Sequence, residues 1–197
     1  LLRLSAHPFM NPLAAMILSA VCAALVYGTE CRGDQASPEN QVFQFMQEGT
    51  CTAWADGSST KSTAYLWIPE TCKRLRGLLI LCNNVPEHRL VGHSAIREAC
   101  AANGLGIVWC VPTFMNFRKD AAKGTDMSKE RATTVAFLQQ LLDGLAERSG
   151  YGEVATVPWL PMGESGHLLM VDALVEQCPQ RCIAGIWIKN HHFPPAN

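Results

Sequence analysis

Two segments in the first third of the chain have the composition of β-strands, and in the second of them the residues alternate between two faces, as in a half-buried strand. The first segment covers residues 42–54 (VFQFMQEGTCTAW) and the second covers residues 62–69 (STAYLWIP). In the second, Tyr65 and Trp67 fall on one face. Residues 56–59 (DGSS) between the segments have the composition of a turn. We therefore predict an antiparallel β-hairpin near the N-terminus of the domain.

Four short apolar runs follow, which are typical of strands buried on both faces of a parallel sheet. They cover residues 75–82, 105–111, 155–162 and 183–189. The intervening segments predict a helix over about residues 92–102 that ends at Asn103–Gly104, a long helix from an N-cap at Ser128 to Gly150, and a helix over residues 168–177. Residues 83–86 (NNVP) are expected to end the strand formed by the first run. This order predicts an α/β fold, a three-layer α/β/α sandwich with a mostly parallel sheet after the hairpin.

The N-terminal segment has the pattern of a signal peptide. Arg3 precedes an apolar run of 14 residues, 13–26 (LAAMILSAVCAALV), which fits the apolar region of a signal and is shorter than the ~20 residues of a membrane span. We predict that residues 1–28 are a signal peptide cleaved before Thr29, with Ala23 or Ala24 as alternative cleavage points. A buried N-terminal helix is the structural alternative. A secreted or periplasmic protein without a stable membrane span is expected.

Composition excludes two classes of protein. Hydrophobic residues make up 48% and charged residues 17%, which is typical of a globular chain and not of a disordered one. The formal net charge is −1 and the basic residues are scattered, so no nucleic-acid partner is expected.

The chain has nine cysteines, and removal of Cys22 with the signal leaves eight. Export favours disulfides, and the spacing in CPQRC makes Cys178 and Cys182 the first candidate pair. Cys82 and Cys110 lie in apolar runs, where either a buried thiol or a bridge fits. The chain has no C-x-x-C, which argues against a thiol-redox protein and, with the lack of H-x-x-x-H, against a metal site.

One motif points to chemistry. Residues 163–167 (GESGH) lie between a predicted strand and a predicted helix, the context in which G-x-S-x-G forms a nucleophile elbow. On such a turn the hydroxyl of Ser165 projects above the carboxyl end of the sheet. The backbone N–H of Gly166 can then face a developing oxyanion.

With this motif and strand order, the sequence resembles the α/β-hydrolase superfamily, in its secreted serine-esterase-like branch, over about residues 42–189. The resemblance implies that the four apolar runs are strands three to six and that Ser165 is the nucleophile. It implies that Gly166 and the loop with Asn83 and Asn84 supply the oxyanion donors. It also implies a small-molecule or polymer ester as substrate and no cofactor.

Two features depart from the family pattern. The chain ends at Asn197, shortly after strand six, whereas the family places its acid and histidine after later strands. We therefore expect residues 29–197 to be a partial domain with an open sheet edge, and the triad acid and histidine to lie beyond Asn197. His191 and His192 are expected to be exposed. His167 stands where the elbow normally has a small residue, and it is a candidate for lining the pocket. Glu164 is either a pocket wall or an exposed carboxylate.

Two functions follow. The first is a serine hydrolase that cleaves carboxylic esters through an acyl-enzyme on Ser165 and is incomplete in this chain. The second is a non-catalytic, secreted binding or structural domain, which His167 and the Asn83–Asn84 loop favour.

Overall fold

The structure is a computed structural model that describes residues 2–5, 43–54, 57–114 and 127–188. Seven strands form one sheet in the order β1-β7-β6-β4-β5-β3-β2. Their bounds are β1 (Leu2–Ser5), β2 (Phe45–Cys51), β3 (Thr60–Trp67), β4 (Gly77–Cys82), β5 (Leu105–Val111), β6 (Trp159–Glu164) and β7 (Gly185–Ile188). The neighbours β5, β4, β6 and β7 are parallel, while β2 and β3 form the predicted antiparallel hairpin. The predicted α/β class is confirmed.

Helices cover both faces of the sheet. They are α1 (Val85–Leu90), α2 (Ser94–Asn103), α3 (Met127–Ser149) and α4 (Leu168–Gln177). Residues Leu79 and Leu81 of β4 pack in one apolar core with residues of α2, whereas Leu78 and Ile80 pack in a second core with residues of α3 and α4. Successive strand residues point to opposite faces, so β4 contributes to both cores. The predicted three-layer sandwich is confirmed.

Local sequence signals account for some of the helix ends. Gly104 has a φ of 68° and its N–H donates to the last carbonyls of α2, as the Asn103–Gly104 stop predicts. Helix α3 ends before Gly150 as predicted, but it begins at Met127, so Ser128 lies in its first turn and is not the N-cap. Helix α1 was not expected. It begins at Val85. Pro86, at its second position, is compatible with the helix because the backbone N–H groups of a first turn have no intrahelical acceptor.

Strand β6 is shifted relative to the predicted run over residues 155–162. Gly152–Ala155 forms a 3₁₀ turn, and the strand begins at Trp159 and extends through Glu164. The carbonyl of Trp159 accepts the N–H of Ile183, on the β7 side of the strand. Because backbone groups two residues apart point to the same side, Pro161 places its missing N–H toward β7 and leaves the pairing with β4 intact. The shift places Gly163 and Glu164 inside the sheet.

The edge beside β7 differs from the expectation of an open edge. Strand β1 pairs with β7 antiparallel, from Leu2 opposite Ile188 to Ser5 opposite Gly185. This strand belongs to the segment predicted as a signal peptide, whose apolar run 13–26 lies outside the described residues. Within the described parts of the chain, no helix is long and apolar enough to cross a bilayer.

The described cysteines are all thiols. They are Cys51, Cys72, Cys82, Cys100, Cys110, Cys178 and Cys182. The predicted bridge between Cys178 and Cys182 is therefore not formed in this structure. Cys82 and Cys110 are both fully buried in the core, as expected if they are buried thiols and not a bridge. Cys22 and Cys31 lie outside the described residues, as do His191 and His192.

Candidate active site

Ser165 occupies the junction between the central strand β6 and helix α4. Strand β6 ends at Glu164, a 3₁₀ turn covers Ser165–His167, and α4 begins at Leu168. Ser165 is exposed and has a φ of 55°, and no other described non-glycine residue has a positive φ. Such a left-handed conformation is uncommon for a residue with a Cβ and marks functional turns. The backbone therefore has the conformation that a nucleophile elbow requires.

Gly163 allows the strand and the helix to approach each other. A Cβ on this residue would lie 2.7 Å from the carbonyl oxygen of His167 and 3.0 Å from Cγ2 of Val171 in α4. The first of these contacts is too short for any side chain. The glycine that opens the motif is thus required by the turn that presents Ser165.

The loop after β4 contacts the residue that precedes the serine. Asn84 donates from Nδ2 to the carboxylate Oε2 of Glu164 at 2.6 Å and to its backbone oxygen at 3.1 Å. Glu164 is only 6% exposed. Glu164 is therefore buried, and the interpretation of this residue as an exposed carboxylate is wrong. The structure brings Asn84 and Glu164 together on one side of the elbow.

Glu87 is part of the site, although the sequence analysis did not identify it. Its side chain is 0% exposed, and its Oε1 accepts the backbone N–H of Glu164 at 2.8 Å. The same oxygen lies 3.8 Å from Nδ1 of His167. One signal could have found it, because the spacing of Glu87, Leu90 and Val91 places all three on one face of a helix, toward the core.

The remaining predicted site residues lie around the same turn. The side chain of His167 is 14% exposed and faces Glu87. Asn83 is exposed, and its backbone N–H donates to Oγ1 of Thr113 at 3.1 Å. Gly166 is exposed next to Ser165. No side chain of the described segments hydrogen-bonds the Ser165 hydroxyl. The oxyanion donors remain a prediction.

An open surface pocket with a volume of about 550 Å³ lies elsewhere on the molecule. It is lined by Arg74, Leu75, Arg76 and Val157, which precede β4 and β6. It therefore lies at the amino ends of the parallel strands, opposite Ser165. In the described part of the chain, no group of three or more His, Cys, Asp or Glu side chains is placed to hold a metal ion.

Three of the solved structures similar to this chain are esterases by their titles. Brefeldin A esterase, a bacterial homologue of human hormone-sensitive lipase, is 14% identical over 91% of this chain and 48% of its own, with a TM-score of 0.38. Esterase Est22 with p-nitrophenol is 16% identical over 93% of this chain and 57% of its own, with a TM-score of 0.42. The Pyrobaculum calidifontis esterase is 11% identical over 89% of this chain and 50% of its own, with a TM-score of 0.38.

No protein-family model matches the chain, and no curated protein matches it. The chain spans about half the length of the solved structures to which it is similar.

Proposed function

We propose that this protein is a serine hydrolase that cleaves carboxylic esters with Ser165 as its nucleophile. The observation that carries the proposal is the left-handed φ of 55° at an exposed serine between a central parallel strand and a helix. This geometry lifts the hydroxyl out of the sheet and leaves one side of it open to a substrate. The burial of Glu164 and the requirement for Gly163 support it, because both residues fix the turn.

The proposed reaction passes through an acyl-enzyme. Oγ of Ser165 attacks the ester carbonyl carbon while a general base takes the hydroxyl proton, and the alcohol leaves with that proton as the C–O bond breaks. Water, with its proton taken by the same base, then attacks the acyl carbon; the acyl–Oγ bond breaks, the carboxylic acid leaves, and the base returns the proton to Oγ. The N–H of Gly166 is the proposed donor to the oxyanion. The proposed base is a histidine outside the described residues, because no side chain of the described segments hydrogen-bonds the Ser165 hydroxyl.

Active-site labelling tests this proposal. We expect the full-length protein to react with a fluorophosphonate probe at one serine per chain, and the Ser165→Ala variant to lose the labelling completely. Ser94→Ala is the matched control, because Ser94 is also exposed but lies at the start of α2. Labelling that survives in Ser165→Ala would contradict the proposal.

One observation favours the non-catalytic alternative, a binding or structural domain. Within the described segments, no side chain hydrogen-bonds the Ser165 hydroxyl, so none of them is placed to take its proton. If the folded full-length protein takes up no probe at Ser165, and hydrolyses neither small p-nitrophenyl esters nor a polymeric ester, this alternative becomes the better account. The two functions are thus separated by the wild-type protein alone.

We also propose that the protein is exported to the periplasm or the medium by residues 1–28. The apolar run 13–26 after Arg3 supports this proposal. N-terminal sequencing of the exported protein should give Thr29 as the first residue, and Leu18→Arg should block export by placing a charge in the apolar run. Cleavage at that point would remove β1 from the edge of β7. A cell-associated protein that retains residues 1–28 would contradict export.

A further inference from the structure

Strand β4 ends before its neighbour β6 does. Beyond that end, side chains instead of a strand bond to the backbone of β6. The last β4–β6 pair is Leu81 opposite Met162, and Glu164 lies two residues further along β6. The N–H and C=O of a strand residue point to the same side, so both backbone groups of Glu164 face the space beyond the end of β4. Oε1 of Glu87 accepts the N–H at 2.8 Å, and Nδ2 of Asn84 donates to the C=O at 3.1 Å.

Glu87 and Asn84 belong to one structural unit. The backbone oxygen of Asn84 accepts the N–H of His88 at 2.9 Å, so Asn84 is joined to helix α1, which carries Glu87. A second bond, from Asn84 Nδ2 to Oε2 of Glu164 at 2.6 Å, fixes the side chain of the same strand residue. Glu87 is fully buried, and a buried N–H that lost its acceptor would remain without one.

We infer that Glu87 and Asn84 are positioning residues for Ser165, a role that rests on the proposed function. They hold the N–H and the C=O of Glu164, the residue that directly precedes the serine. With both groups fixed, the chain turns from β6 into α4 at Ser165, and this turn requires the left-handed conformation of that residue. Without them the end of β6 relaxes, and the hydroxyl moves away from the position in which it reacts.

The rate of fluorophosphonate labelling of Ser165 tests this role in the full-length protein. We expect Glu87→Leu, which has no acceptor, to label about 10²-fold more slowly, because small displacements of a reacting group have effects of this size. Glu87→Gln keeps an acceptor oxygen and should stay within about threefold of the wild type. Glu130→Gln is the matched control: Glu130 is also buried, at 5% exposure, but lies in α3, and its variant should label at the wild-type rate.

The outcomes separate this inference from the proposed function. If the wild type labels at Ser165 and Glu87→Leu labels equally fast, the positioning role is wrong and the nucleophile stands. If the wild type does not label, the proposed function fails, and amide hydrogen exchange tests the contact itself. The Glu164 amide should be protected in the wild type and in Glu87→Gln. Rapid exchange of the Glu164 amide in the wild type would overturn the inference. Because this measurement uses only the wild type and Glu87→Gln, it applies even if Glu87→Leu does not fold.

Discussion

Ser165 has a backbone conformation that costs a residue with a Cβ about 1–2 kcal/mol. Contacts at the flanking residues offset this cost. Gly163 lets the carbonyl of His167 approach to a distance that a side chain would prevent, and Glu164 has both of its backbone groups bonded by Glu87 and Asn84. The conformation of one serine is thus maintained by two segments that are distant in sequence, residues 84–87 and residues 163–167.

Asp172 is another residue whose surroundings act on its charged state. Burial raises the pKa of this carboxyl above its ordinary value of 3.8, while the hydrogen bond from Trp187 and the charge of Arg131 oppose the rise. Nε1 of Trp187 donates to Oδ1 of Asp172 at 2.8 Å, which joins α4 to β7. A carboxyl with a raised folded pKa binds its proton more tightly in the native state, so the native state loses stability as the pH rises through that pKa.

Asp172→Asn should therefore stabilise the protein at neutral pH. The amide oxygen still accepts from Trp187, and the ionisation that burial opposes is removed, so we expect a gain below about 1 kcal/mol for this partly exposed group. Urea unfolding of wild type and variant at several pH values measures the gain, which should disappear below pH 3.8, where both carboxyl and amide are neutral. Asp143→Asn, on the exposed face of α3, is the control. A gain that persists at low pH would contradict this account.

At the scale of elements, the sequence predicts those whose signals are local. The spacing of apolar residues in α3 predicts a buried stripe of Val135, Leu138, Leu141, Leu142 and Leu145. The four leucines are buried, and Val135 is half-buried against the same core. Strands β4 and β5 are recognised because a continuous apolar run of this length fits a strand buried on both faces. Both helix stops at glycine are also local, since a left-handed residue there satisfies the last carbonyls.

The elements that sequence reasoning missed depend on tertiary contacts. Helix α1 is short, and its buried Glu87 bonds to the backbone of Glu164, 77 residues away in the chain. The pairing of β1 with β7 joins Leu2 to Ile188, and no local pattern encodes such a pair. The same limit applies to the site. The motif identifies Ser165 because its five residues are contiguous, whereas the residues that hold it come from another segment.

At the scale of the whole molecule, one sheet joins two apolar cores. The core on the side of α3 and α4 includes Ile80 and Cys110, and the core on the side of α2 includes Leu81 and Cys100. Alternate residues of β4 and β5 supply both cores, so neither core can open without disturbing strands that the other needs. We therefore expect the two layers to unfold as one cooperative unit.

Cysteine labelling can test this cooperativity, because each core contains a protected thiol. Burial raises the pKa of Cys100 to about 12 and that of Cys110 to about 12, so at a pH of about 8 both remain unreactive thiols in the native state. Labelling with iodoacetamide across a urea series, read by mass spectrometry at each cysteine, should give the same midpoint for both residues and for the loss of circular dichroism. Cys100→Ser and Cys110→Ser identify the labelled peptides. If Cys100 reacts at lower urea than Cys110, the layer formed by α2 opens first, and the shared strands do not couple the two cores.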